Sequence, residues 1–126
     1  MSPQFPIQNE GTHTAEFILS EANGHRSRGN AFLADPSAVK VGQPLKKTAE
    51  ATTDKPATYV VATVGADCHA LAIYGGVSSS GNDLRIAVLE RDAEVNGRLI
   101  FWGSMSTAEQ VIGATTLASK GIIVRL

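Results

Sequence analysis

Apolar and polar residues alternate in short runs along most of this chain, the period of two that builds half-buried β-strands. The pattern predicts strands at residues 30–34, closed by Asp35 and Pro36, and at 39–41, which Gly42 and Pro44 turn toward Leu45. Residues 59–64 form a strong β-branched run, and residues 68–74 predict another strand joined to it through 65–67. Between these lie a polar excursion at 48–58 and a glycine- and serine-rich loop at 75–82, expected to be exposed and mobile. Residues 84–89 make a further strand.

The clearest local signals lie toward the C-terminus. Asn96 and Gly97 stand between two alternating runs, 93–95 and 98–102. That pair predicts a type I′ hairpin turn, because both central residues must take positive φ. Ser106 followed by Glu109 predicts a helix opened by a reciprocal capping box. The helical period then puts Ala108, Val111, Ile112, Thr115 and Ala118 on an inward stripe with Leu117 at its margin. Gly121 supplies the stop and residues 122–124 a last strand. About seven short strands and one helix, without an internal repeat, predict a mainly β fold, a small barrel or clip with one C-terminal helix.

Length leaves room for one domain of 126 residues, able to bury roughly two-thirds of its unfolded surface. Charge changes the picture more. Eleven basic and twelve acidic residues give a net charge of −1 with no block of either sign, which argues against a phosphate-binding footprint. Charged residues make up 18%, below the roughly 25% of an average domain. A charge-poor surface is less protected against association. The first residues lack the basic and apolar regions of a signal peptide, and no apolar run approaches the ~20 residues of a spanning helix. Synthesis in the cytoplasm of the producing cell is therefore expected.

Candidate chemistry is sparse. Cys68 is the only cysteine and His69 follows it, but neighbours in a strand point to opposite faces, so sequence adjacency does not make a nucleophile–base pair. His13, His25 and His69 show no metal-ligand spacing with one another or with carboxylates. The 75–81 loop lacks the phosphate-cradle pattern and leads into a strand. Asp92 and Glu94 border a turn, where solvated carboxylates are common, and Trp102 fits core filling or a subunit contact. No catalytic residue, metal or cofactor is expected.

Residues 1–15 carry two prolines and no hydrophobic period, so they are read as a flexible arm and residues 16–126 as a single β-rich domain. Thr12-His13-Thr14-Ala15-Glu16-Phe17 mixes β-branched, aromatic and polar residues in a way suited to adding a strand to a foreign sheet edge. This segment, together with residues 20–24, Ser27 and Arg28, residues 91–97 and residues 121–125, resembles the head decoration proteins of tailed bacteriophages, the family of phage lambda's head decoration protein D. An acidic residue usually follows the Ser-Arg pair in that family; here Gly29 stands there. Residues 40–80 match only loosely.

The resemblance implies a β-clip-like fold and a homotrimer seated at three-fold positions on the outer surface of the expanded virion head. It implies no enzymatic activity. It also implies an N-terminal arm that extends a sheet of the major capsid protein, with Thr12, His13, Thr14, Glu16 and Phe17 facing the capsid and Phe17 as the apolar anchor where arm meets body. Neither nucleic acid, membrane nor small-molecule substrate is an expected partner. Two other readings fit a charge-poor β domain: a small ligand-binding or enzymatic domain using Cys68 and His69, and a tail or baseplate adaptor.

Overall fold

The computed structural model describes residues 14–23, 26–34, 38–77 and 83–125. Among these residues ten strands follow one another as β1 (Ile18–Glu21), β2 (Arg28–Leu33), β3 (Ala38–Val39), β4 (Pro44–Ala49), β5 (Ala57–Val61), β6 (Ala70–Ala72), β7 (Gly76–Val77), β8 (Leu84–Leu89), β9 (Ala93–Asn96) and β10 (Ile122–Arg125). One helix, α1 (Thr107–Ser119), precedes the last strand, and short 3₁₀ turns occupy Gly65–Asp67 and Gly97–Leu99. The fold is mainly β with one C-terminal helix, as the alternation predicts.

Five strands close a barrel in the order β2-β5-β4-β6-β8. Only β2 and β5 run parallel; the other pairs are antiparallel. A barrel of so few strands is narrow, so its interior takes small side chains beside a few large ones. Ala31, Ala57, Ala70 and Ala72 share the space with Leu33, Leu45, Val88 and Tyr59. The apolar run around β6 has a simple cause. Ala70 and Ala72 face into the barrel, while Leu71 and Ile73 face out into a second core, and all four are 0% exposed.

That second core lies between the barrel's outer wall, α1 and a three-stranded sheet ordered β1-β9-β10. Phe17, Leu89, Val95, Leu117 and Ile122 fill it. Burying each such side chain contributes about 2 kcal/mol. β1 runs antiparallel and β10 parallel to β9, so the first and last strands of the described residues flank the same partner. β3 and β7 form a separate two-stranded ribbon, which places Gly76 and Val77, expected in a loop, in a strand.

Several local expectations are corrected. Asn96 has φ −82°, outside the positive region a type I′ turn requires. Its side-chain carbonyl accepts the Arg98 N–H at 3.0 Å and starts a 3₁₀ turn. Residues 98–102 are no strand. Both edges of β9 are already taken by β1 and β10, so long-range pairing overrides the local hairpin preference. Residues 44–49, partly assigned to the polar excursion, form β4, and residues 50–55 are the exposed part.

The helix begins and ends where expected: Ser106 Oγ accepts the Glu109 N–H at 3.2 Å, and Gly121 follows the C-cap with φ +82°. The capping box is only half made, however. The Glu109 carboxylate accepts from the backbone N–H of Gly65 and ties the helix to the 3₁₀ turn beneath it. The expected inward stripe also points the wrong way. Gly113 and Leu117 are the buried helix positions, whereas Val111 is 64% and Ile112 45% exposed, and Ala108, Thr115 and Ala118 are exposed too. A close approach decides the phase. A Cβ on Gly113 would stand 2.9 Å from the Trp102 ring and 3.0 Å from Cys68 Sγ, and one on Gly65 would overlap the helix backbone.

Candidate docking surface

The segments quoted for the family resemblance are far apart in sequence, yet most of them converge on the three-stranded sheet. Residues 18–21 are β1, residues 93–96 are β9, and residues 122–125 are β10. Ser27 lies beneath their junction, 0% exposed. Its hydroxyl accepts the Ala22 N–H at 2.9 Å and donates to the Asp92 carbonyl at 2.8 Å. Arg28 grips Glu21 through two nitrogens, Nε at 2.8 Å and Nη2 at 2.7 Å. That hydrogen bonding holds the Glu21 carboxyl below the usual carboxylate range and pushes the Arg28 guanidinium up.

Across the sheet, Arg125 Nη2 donates to Glu94 Oε1 at 2.8 Å, and Ser20 Oγ donates to the other carboxylate oxygen at 3.2 Å. The Arg125 bond, then the Ser20 bond, lowers the Glu94 pKa. Arg26 Nε reaches Asp92 at 3.1 Å, and Arg91 Nη1 donates to the Arg26 carbonyl at 2.8 Å. Such exposed pairs are screened by solvent and contribute little to stability. They act instead as register marks that hold three distant chain segments in one order. The Glu90 carboxylate, from the end of β8, lies where a Cβ on Gly29 would stand.

The structure places the expected capsid-facing residues unevenly. Thr12 and His13 lie outside the described residues. Thr14 and Glu16 are exposed. Phe17 is 0% exposed and packs in the second core, so it roots the start of β1 and offers no outer surface. A turn links this root to the body: Ala15, with φ 61°, accepts the Ile18 N–H and donates its own N–H to Ile73. Among the described residues β1 is an edge strand, with β9 on one side only.

The Cys68 and His69 side chains are committed to other tasks. Cys68 is 0% exposed, and burial, with Asp67 and Glu109 adding repulsion, pushes its thiol up to about 11. A thiol so placed is a poor nucleophile at neutral pH. His69 accepts the Lys47 N–H on Nδ1 at 3.0 Å, extending the β4–β6 pairing by one bond. Burial and then the Lys120 charge depress its pKa. The nitrogen a base would need is already occupied. Among the described residues, no group of three or more His, Cys, Asp or Glu residues could hold a metal ion.

A surface that the sequence reading assigned to the interior completes the picture. Val111, Thr115 and Ala118 of α1 line a groove of about 470 Å³ with Trp102, Ile123 and Val124, and no charged side chain lines it. No hydrophobic signal marks the buried side, because Gly113 and Leu117 are its buried positions and the glycine carries no apolar side chain. No curated protein matches the chain. The sequence model described as bacteriophage lambda head decoration protein D matches residues 7–122. Both cores fall within that match, and the chain belongs to this family of structural proteins that decorate phage capsids.

Proposed function

We propose that the chain coats the expanded icosahedral head as a homotrimer at local three-fold positions and holds the shell against the pressure of packaged DNA. In this reading the protein has no enzymatic activity and resides on the outer surface of the virion head after synthesis in the host cytoplasm. Residues 1–15 are the capsid-binding arm and residues 16–126 the decoration domain. Thr12, His13, Thr14 and Glu16 face the major capsid protein, and Phe17 anchors the arm to the body.

One observation carries the reading: the chain that precedes β1 enters the body at an edge strand rooted by a wholly buried Phe17. An arm tied down there transmits a hold on the capsid directly to the core. Strand addition uses backbone hydrogen bonds, so extended character counts more than particular side chains. One arm binds weakly, but three on one trimer raise the effective concentration of the second and third contacts. The groove beside α1 is lined without charged side chains, as the centres of protein interfaces are depleted of charge.

The test is deletion of residues 2–14. The truncated protein should keep the wild-type unfolding transition and lose binding to expanded heads in co-sedimentation. Saturation of heads by the truncated protein would refute the arm's role.

A further inference from the structure

A second cavity, of about 500 Å³, opens where the end of the barrel meets the β8–β9 turn and the C-cap of α1. Tyr59 is the side chain of the barrel core that reaches it. Tyr59 is only 1% exposed, and its hydroxyl makes no hydrogen bond to a described residue. No fully buried side-chain oxygen or nitrogen is left without a partner, so the exposure that Tyr59 keeps is at its hydroxyl. Burial, with Glu90 and Glu50 beside it, pushes that hydroxyl up to about 12, and it remains a proton donor at neutral pH. His69 lines the same cavity. Because its Nδ1 accepts the Lys47 N–H, the neutral ring carries its proton on Nε2 and offers a second donor.

The charges around these donors are nearly all committed. Lys47 pairs with Glu50 at 3.5 Å and Arg91 with Glu90 at 3.0 Å. Asp92 is taken by Arg26, which stands outside the lining. Lys120, at the C-cap of α1, lines the cavity and has no ion pair with a described residue. The balance left is one positive charge beside two neutral donors.

We propose that this cavity binds a carboxylate, whose oxygens accept from the Tyr59 hydroxyl and the His69 Nε2–H while Lys120 neutralises its charge. A dianionic phosphate fits less well, because its second charge would meet Glu50, Glu90 and Asp92 without a further free cation. The carboxylate has two sources, a free small acid or an acidic side chain of the shell. The site itself does not depend on the decoration reading.

Titration of the full-length protein with sodium acetate, followed by the His69 ring resonances, tests it against sodium chloride at matched ionic strength. Acetate should give saturable shifts beyond those of chloride. Tyr59→Phe removes only an unpaired hydroxyl and should weaken binding about tenfold, the effect of losing one hydrogen bond to a charged group. Lys120→Gln, at an exposed position, should weaken it as well. Shifts no larger than those of chloride, or equal affinity in Tyr59→Phe and wild type, would overturn the proposal. Given acetate binding, full coating of expanded heads by Tyr59→Phe identifies a free acid as ligand, and reduced coating identifies a side chain of the shell.

Discussion

The barrel and the three-stranded sheet meet across Leu71 and Leu89, yet they solve the edge problem in opposite ways. The barrel closes on itself, so each of its five strands has a neighbour on both sides. Among the described residues the sheet leaves β1 and β10 with one neighbour each, and unpaired strand edges are templates for a partner. The barrel interior is alanine-rich and closed to large additions. The sheet and helix carry exposed Leu19, Val111 and Ile123. The lesson is a division of labour: one half supplies a rigid body, and the other presents edges and an apolar face.

This contrast can be broken by experiment. The largest effect should come from the barrel. Leu45→Ala removes a fully buried side chain from a narrow interior and should cost about 2–5 kcal/mol, read as a lower denaturation midpoint at unchanged slope. A loss below about 1 kcal/mol would mean that the barrel is not the rigid half.

A smaller effect should appear with acid, at the His69 bond that extends the β4–β6 pairing. The His69 pKa in the folded protein is depressed below its ordinary 6.5, so the unfolded chain binds that proton more tightly. Its contribution is therefore present above about pH 6.5 and is lost as pH falls through the depressed folded value. Burial, then Lys120, Lys47 and Lys46, disfavour the charged ring, while Asp67 favours it. Denaturant titrations at neutral and mildly acidic pH should show less acid sensitivity in His69→Gln than in wild type. Equal sensitivity in the two proteins would count against His69 as the group responsible.

The smallest effect on the fold should come from the helix face. Val111→Asp alters a 64%-exposed position and should change unfolding free energy by less than about 0.5 kcal/mol. If this face joins copies, the same change should shift sedimentation equilibrium toward the monomer. A variant that associates like wild type would exclude the face from that role.

Much of the barrel was legible because alternation survives wherever one strand face is buried and the other wet. Residues 84–88 are such a case, buried at Ile86 and Val88 and wetter between them, whereas residues 59–61 were legible as part of a β-branched run. The helix was legible in its ends but not in its phase. Ser106 and Gly121 act through their own backbone, whereas the buried side depends on Gly113 meeting Gly65, forty-eight residues away, and a glycine leaves no hydrophobic mark. Asn96 misled for a related reason: its neighbours along the chain favour a hairpin, but its partners in space are β1 and β10. The docking surface was legible only in outline. The quoted segments are the strands of one sheet, but nothing in their spacing shows that Arg28 binds Glu21 or that Glu90 fills the place over Gly29. Tyr59 was invisible as a binding residue, since a barrel strand with a tyrosine reads as core.

The placement of β1 has a mechanical consequence. Its residues Ile18, Ser20 and Glu21 lie opposite Val95, Glu94 and Ala93 of β9, and β9 is bound on its far side to β10. Tension on the chain ahead of Thr14, directed along β1, would therefore strain the ladder in shear, stretching its rungs together rather than opening them one by one. With Phe17 wedged in the core at the pulled end, the body should yield after its attachment to the outside does.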